Sequence, residues 1–165
     1  MNLLPDDLVI LAERVVRENR AANRTIALAE SCTGGLVAAA LTEIPGSSAV
    51  LDRSIVAYSN TAKHELLGVP IDVMETFGAV SIACAWAMAQ GVLHRTGASV
   101  SVAISGIAGP DGGTAQKPVG TVVFARAIKG EAEEDALAEE RRLDGSSRAA
   151  VRHQAALVAL ELLLP

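Results

Sequence analysis

The segment Glu30-Ser31-Cys32-Thr33-Gly34-Gly35 places a serine hydroxyl beside a glycine turn. The apolar residues 25–29 before it are typical of a buried strand, and a helical pattern begins near Leu36. At the start of that helix, unpaired amides and the helix dipole would favour negative charge, and these amides belong to Thr33, Gly34 and Gly35. Such a turn suits an oxyanion hole beside a nucleophilic Ser31. It equally suits a helix cap or a phosphate site, and spacing alone leaves these alternatives balanced.

A nucleophilic serine needs a base to take its proton. None of the three histidines has a convincing aspartate partner in the sequence, so Lys63 is the better candidate. A lysine acts as a base only when its pKa falls from about 10.4 towards neutrality, and the positive end of a predicted helix at Lys63 would lower that pKa. Tyr58, the only tyrosine, is predicted to end the preceding strand and could relay a proton between Ser31 and Lys63. In isolation, Lys63 is also typical of a solvated helix residue.

Other residues have both a functional and a structural interpretation. Cys32 could be a nucleophile, but a small buried thiol with no histidine nearby in sequence is more typical of core packing. Ser48 can bind phosphate or cap a turn. The glycine-rich loop that begins at Ser105 and Gly106 can approach a ligand closely. Arg148, near the start of the last predicted helix, can hold an anion or lie on the surface.

Length and composition limit the class of protein. The 165 residues are predicted to form one domain, residues 1–165. Half of the residues are hydrophobic and only 2% are aromatic, so the core must consist of small aliphatic side chains. There is no run of about 20 apolar residues, and the N-terminus lacks the layout of a signal peptide. We therefore expect a cytoplasmic protein that does not bind a membrane.

Charge and the counts of metal-ligand residues exclude further classes. The two cysteines are too few for a disulfide framework and are expected to be reduced thiols. The histidines show no metal-ligand spacing, so no metal is predicted. A net charge of −5 and the lack of a basic, aromatic cluster disfavour nucleic acid as a partner. The acidic run at 131–135 is expected to be a solvated edge, and the small apolar helices make a homodimer reasonable.

The elements that must position these residues follow from hydrophobic periodicity and turn residues. Strands are predicted at 25–29, 54–58, 100–104, 120–128 and 135–143, the last two as an antiparallel hairpin. Helices are predicted from a cap at Asp6 or Asp7 to Arg20, at 36–42, around Lys63, from a cap at Ser81 to Thr96, and at 147–163.

Alternating helices and strands predict an α/β fold with helices on both faces of a mostly parallel sheet, which the late hairpin makes mixed. Ligands of such sheets bind at the carboxyl ends of the strands. Ser31, Tyr58 and Ser105 are each predicted to follow a strand. The three turns are therefore expected to converge on one crevice.

Motifs distributed over the whole chain resemble those of one known family. They are residues 29–35, 45–48, 57–60 with Lys63, 78–81, 106–113 and 117–121. Taken in order, from about residue 5 to the end, they are similar to the motifs of the CinA C-terminal domain family. The resemblance implies a three-layer α/β/α sandwich with a mixed, mostly parallel sheet of about five strands.

The resemblance also implies a nicotinamide mononucleotide deamidase that hydrolyses the carboxamide of this small nucleotide substrate to nicotinate mononucleotide and ammonia, in pyridine nucleotide recycling. No metal or other cofactor is implied. The family's serine, lysine, tyrosine and phosphate-contacting arginine correspond to Ser31, Lys63, Tyr58 and Arg148. Lys63 would take the proton of Ser31, directly or through Tyr58, as Ser31 attacks the carboxamide carbon. Amides near Thr33 and Gly34 would stabilise the oxyanion.

A second hypothesis remains open at this point. The glycine-rich loops, and the family's association with DNA uptake, are also compatible with a catalytically silent nucleotide-binding or assembly module.

Overall fold

The computed structural model describes residues 1–165, which form six α-helices and five strands. The strands are β1 (Ile26–Glu30), β2 (Leu51–Val56), β3 (Val100–Gly106), β4 (Thr121–Ile128) and β5 (Leu137–Arg142). The helices are α1 (Asp6–Ala21), α2 (Leu36–Thr42), α3 (Asn60–Leu67), α4 (Ile71–Phe77), α5 (Ile82–His94) and α6 (Arg148–Leu162). Two short 3-10 turns lie at Ser47–Ala49 and Glu133–Asp135.

The five strands form one sheet in the order β2-β1-β3-β4-β5. β1 pairs in parallel with both β2 and β3, whereas β4 is antiparallel to both β3 and β5. Four strands therefore run in the same direction, and only β4 is reversed. This arrangement confirms the predicted mixed, mostly parallel sheet of five strands and its C-terminal hairpin.

Helices cover both faces of the sheet, which confirms the three-layer α/β/α sandwich. Side chains alternate along β1, so Ile26 and Leu28 face one core while Ala27 and Ala29 face the other. The first core is formed with α1, α2 and α6, and the second with α3, α4 and α5. The small alanine side chains of the second face let α5 pack closely on the sheet. α5 also packs closely on α3, because a Cβ added at Gly91 would overlap the carbonyl of Leu67.

None of the helices combines the length and the apolar character that a membrane crossing requires. The most apolar stretch of the sequence forms α5, in which eight of the 13 residues are buried between its neighbours and the sheet. Its hydrophobicity is therefore explained by core packing.

Several element boundaries differ from those predicted. α1 begins after Pro5, so Asp6 and Asp7 lie in its first turn and neither provides the predicted cap. Acidic residues in a first turn still interact favourably with the helix dipole. α4 was not predicted, because Pro70 was interpreted only as a stop signal for α3, whereas proline is also compatible with a helix start.

The predicted second strand, 54–58, is shifted. β2 ends at Val56 and leaves Tyr58 in the loop before α3. β2 is an edge strand that begins with the half-buried Leu51 and the charged Asp52 and Arg53, so its first half lacks the apolar signal of a buried strand.

Candidate active site

Ser31 follows β1 directly, at the carboxyl edge of the parallel strands, and only 7% of its surface is exposed. Its amide donates to the carbonyl of Ile104 on β3, which extends the β1–β3 pairing by one residue and fixes the backbone. Lys63 Nζ lies 2.9 Å from Ser31 Oγ. The two candidate catalytic groups are therefore in direct hydrogen-bond contact.

Lys63 comes from α3, where Ser59 caps the helix and accepts from the amide of Ala62. The side chain is 1% exposed, and its Nζ also donates to the carbonyl of Tyr58 at 2.9 Å. No carboxylate forms an ion pair with it. Burial lowers the pKa of Lys63 below its ordinary value of 10.5, because desolvation disfavours the charged ammonium. A neutral Lys63 amine can accept the proton of Ser31.

Glu30, the last residue of β1, is fully buried and accepts hydrogen bonds from five donors. These donors are the hydroxyls of Thr33 and Ser54 and the amides of Gly35, Val37 and Ala38, at 2.7–3.1 Å. A carboxylate accepts only, and the N-terminus of a helix offers unpaired N–H donors and a positive dipole end. Glu30 therefore ties the start of α2 to the end of β1 around Ser31.

Two arginines of α6 lie against the loops at this edge of the sheet. Exposed Arg148 donates to the carbonyl of Gly109 at 2.7 Å and to the hydroxyl oxygen of Tyr58 at 2.9 Å. Half-buried Arg152 donates to the carbonyls of Cys32 and Thr33 at 3.1 and 3.2 Å. Neither guanidinium pairs with a carboxylate within 4.0 Å. This edge of the sheet therefore carries two arginines without acidic partners, in a chain whose net charge is −5.

Comparison with known proteins places the chain in a family. Residues 9–165 match the family model described as the CinA C-terminal domain. The chain belongs to the CinA C-terminal domain family.

Several CinA relatives are close in sequence or structure. Over 139 residues, covering 84% of this chain and 82% of the relative, the chain is 54% identical to the nicotinamide-nucleotide amidohydrolase PncC of Enterobacter agglomerans. The chain is also 48% identical over 153 residues to a CinA-like protein of Syntrophotalea carbinolica. That alignment covers 93% of this chain but only 36% of the longer relative. The crystal structure of the competence/damage inducible protein CihA from Agrobacterium tumefaciens superposes with a TM-score of 0.94, at 45% identity, covering 99% and 97% of the two chains.

The CinA fold does not bring every predicted residue to this site. Ser48 lies in the 3-10 turn that precedes β2, at the amino edge of the parallel strands. The five residues of β1 separate that edge from Ser31, a distance of about 15 Å at ~3.3 Å per residue. Within one chain Ser48 therefore lies away from Ser31, and its role in substrate binding stays a prediction.

Ser105 and Gly106 lie inside β3 rather than after it. The Ser105 hydroxyl is buried and donates to the carbonyl of Ala79 at 2.9 Å, so it ties β3 to the segment before α5. A Cβ at Gly106 would lie 2.7 Å from Val122 and 3.1 Å from Cys32 Sγ. Both positions are therefore packed inside the protein, and their contact with substrate stays a prediction.

The three amides predicted to bind the oxyanion, those of Thr33, Gly34 and Gly35, differ in their hydrogen bonds. The Gly34 amide donates to the carbonyl of Ser31 at 3.0 Å, and the Gly35 amide donates to Glu30. Both donors are therefore occupied inside the protein, and their role as oxyanion donors stays a prediction that these contacts do not support. The amide of Thr33 donates to no protein oxygen.

Cys32 matches its structural interpretation as a packed thiol. It is 5% exposed and lies in the core beneath α6, where burial raises the pKa of its thiol to about 11. A thiol with so high a pKa is protonated at neutral pH and is a poor nucleophile.

Sequence reasoning missed two residues that hold the site together, Glu30 and Arg152. A signal for Glu30 existed, because an acidic residue that ends an apolar strand and precedes a helix start can serve as its capping anion. Arg152 had no local signal. Its contact with Cys32 spans 120 positions of sequence, and only the folded chain shows it.

Proposed function

We propose that this chain is a nicotinamide-nucleotide amidohydrolase that converts nicotinamide mononucleotide and water to nicotinate mononucleotide and ammonia. The observation that carries the proposal is the 2.9 Å contact between Ser31 Oγ and the buried Lys63 Nζ, without an acidic partner. The name of the PncC relative, which is 54% identical over most of both chains, supports the choice of substrate.

The reaction begins when neutral Lys63 takes the proton of Ser31 as Oγ attacks the carboxamide carbon. The tetrahedral intermediate carries an oxyanion, and the free amide of Thr33, with that of Cys32, supplies donors for it. The C–N bond then breaks, Lys63 returns the proton to the leaving nitrogen, and ammonia departs from an acyl-enzyme ester. Water attacks the ester with Lys63 again acting as base, and the proton returns to Ser31 when nicotinate mononucleotide is released.

Tyr58 supports this reaction by orientation. Its carbonyl holds Lys63 Nζ, and its hydroxyl accepts from Arg148, with no hydrogen bond to Ser31 or Lys63. These contacts support orientation rather than a proton relay as the role of Tyr58. The group of Tyr58 that holds Lys63 Nζ near Ser31 belongs to the backbone.

The positive charge of Arg148 complements the negative charge of the substrate's phosphate. Arg148 is exposed beside Tyr58 and is the residue we assign to the phosphate, because a guanidinium can bind phosphate through two parallel hydrogen bonds. Glu30 already occupies the amides of α2, so that helix does not provide the phosphate site. No metal or other cofactor has a role in the scheme.

We extend the proposal to a homodimer that works in the cytoplasm. Phe77 and Ile82, at the end of α4 and the start of α5, are each about half exposed and line one apolar groove with Trp86, and an exposed apolar patch often marks an interface. Both cysteines are free thiols, as expected in a reducing compartment. Light scattering of the purified protein tests the dimer.

The decisive experiment incubates purified protein with nicotinamide mononucleotide and measures ammonia together with nicotinate mononucleotide. We expect both products in equal amounts from the wild type and neither from the Ser31→Ala variant. Absence of ammonia from the wild type would contradict the proposal. Binding of the nucleotide without turnover would instead favour the silent nucleotide-binding module.

A further inference from the structure

The backbone amides next to Ser31 divide into used and free donors. Those of Gly34 and Gly35 donate inside the protein, as described above. Those of Cys32 and Thr33 donate to no protein oxygen. Buried amides nearly always have a partner, so two free donors directly after a nucleophile are well suited to receive an oxyanion.

Arg152 donates hydrogen bonds to carbonyls of the same backbone segment, Cys32-Thr33. Its Nε donates to the carbonyl of Cys32 at 3.1 Å, and its Nη2 donates to the carbonyl of Thr33 at 3.2 Å. The peptide unit is planar and trans, so the C=O of Cys32 and the N–H of Thr33 point in opposite directions. A guanidinium fixed on the Cys32 carbonyl therefore also fixes the direction of the Thr33 amide.

The surroundings of Arg152 explain why arginine suits this position. Its Nη2 lies 3.6 Å from where a Cβ of Gly34 would be, so the guanidinium packs closely against the turn. Its two donors form a rigid fork that reaches two carbonyls at once, which a lysine ammonium on a flexible stem does not reproduce. No carboxylate lies within 4.0 Å of the guanidinium, so both of its donors are available to the two carbonyls of the turn.

We propose that Arg152 is a positioning residue, which orients the Cys32–Thr33 peptide so that the Thr33 amide stabilises the oxyanion of the reaction. Arg152 acts through the backbone and does not contact the substrate. The inference rests on the proposed amidohydrolase function, because an oxyanion develops only if Ser31 attacks a carboxamide.

The test measures kcat and KM for nicotinamide mononucleotide in Arg152→Met and Arg152→Lys, with Arg14→Met as a matched control. Arg14 lies on α1, where it pairs with Glu18 on the surface. Loss of one oxyanion donor lowers kcat by about 100- to 1,000-fold in other hydrolases, and loosening its support should have a smaller effect. We expect kcat to fall roughly 10- to 100-fold in Arg152→Met, with KM changed less than about threefold. Arg152→Lys should lie between that variant and the wild type, and Arg14→Met should match the wild type.

Two results would overturn the role of Arg152. A raised KM with unchanged kcat would mean that Arg152 binds the phosphate group, and unchanged kcat and KM would mean that the turn needs no such support. Thermal unfolding of each variant shows that the assayed protein is folded, and Arg152→Lys carries the test if Arg152→Met unfolds. A wild type that releases no ammonia would contradict the amidohydrolase function itself, whereas an active wild type with unimpaired variants contradicts only the positioning role.

Discussion

The backbone carbonyl of Tyr58 accepts a hydrogen bond from Lys63 Nζ at 2.9 Å. The hydroxyl oxygen of the same residue accepts a hydrogen bond from Nη2 of Arg148, also at 2.9 Å. The backbone contact survives any substitution of the side chain, so the two contributions of Tyr58 can be separated by mutation.

Tyr58→Phe keeps the carbonyl on Lys63 and removes only the contact with Arg148. We expect KM for nicotinamide mononucleotide to rise about three- to tenfold, because the arginine assigned to the phosphate loses a neighbour, while kcat falls less than about threefold. Steady-state kinetics on the purified variant checks this. A fall in kcat of several orders of magnitude with unchanged KM would show that the hydroxyl transfers a proton.

Ser31→Ala removes the nucleophile, and we expect the rate of ammonia release to fall at least about 1,000-fold, as for other hydrolases that lose their nucleophile. Cys32→Ala is the matched neighbour. Its buried thiol, with a pKa of about 11, takes no part in the scheme, so this variant should keep most of its kcat. Comparable losses in both variants would point to a disturbed turn rather than to a missing nucleophile.

The pH dependence follows from the lowered pKa of Lys63. Only the neutral amine can take the proton of Ser31, so kcat/KM should rise with pH and level off above the pKa of Lys63, at a pH below 10.5. Rates measured from pH 6 to 10 test this. A profile that is flat across that range would argue against a lysine base.

Lys63→Met should abolish turnover and stabilise the fold. In the folded chain the lysine has a lowered pKa, so its protonation favours the unfolded state, and this penalty is fully present below the folded pKa. The penalty decreases as pH rises from the folded pKa to the unfolded value near 10.5, where the unfolded state also loses the proton. Urea unfolding should therefore show the largest gain in the free energy of unfolding near neutral pH and a smaller gain at pH 10. An equal gain in the free energy of unfolding at neutral pH and at pH 10 would contradict a link between the lowered pKa of Lys63 and stability.

Glu30→Gln replaces one acceptor oxygen with an amide NH2 group, itself a donor, among five donors. We expect the free energy of unfolding to fall by about 2–4 kcal/mol, because several buried donors lose their acceptor, and kcat to fall as well. Ser54→Ala removes a single donor from the same carboxylate and should cost only about 1 kcal/mol. Urea unfolding at pH 7 compares the two, and equal losses would mean that Glu30 is less important than its contacts indicate.

Local patterns predicted the elements that bear the site but not all of its contacts. β1, α2, α3 and the C-terminal hairpin were predictable because hydrophobic periods and caps are properties of neighbouring residues. The pairing of Ser31 with Lys63 was a hypothesis that chemistry suggested, and the 2.9 Å distance supports it. The placement of Ser48 could not be derived, because only the parallel register of β1 and β2 assigns it to the opposite edge.

Ser105 and Arg152 also show contacts that local sequence patterns do not predict. Ser105 was predicted to contact the substrate but bonds within the protein, whereas Arg152 was not predicted to be at the site but contacts its backbone. Ser105 looked available because its loop is glycine-rich, but extension of β3 to Gly106 places its hydroxyl on Ala79. Arg152 looked like an ordinary helix residue, but packing of α6 beside the Ser31 turn places it on two carbonyls. Burial and long-range packing decide both cases, and neither is a property of the local sequence.

The single reversed strand has a practical consequence. Because β4 is antiparallel, the turn at Lys129-Gly130 lies at the edge of the sheet opposite Ser31, and the side chain of Lys129 is exposed there. A dye, an affinity peptide or a linker to a solid support can therefore be attached at this turn while the catalytic edge stays free for nucleotide. The enzyme could be immobilised in a flow reactor through that single point.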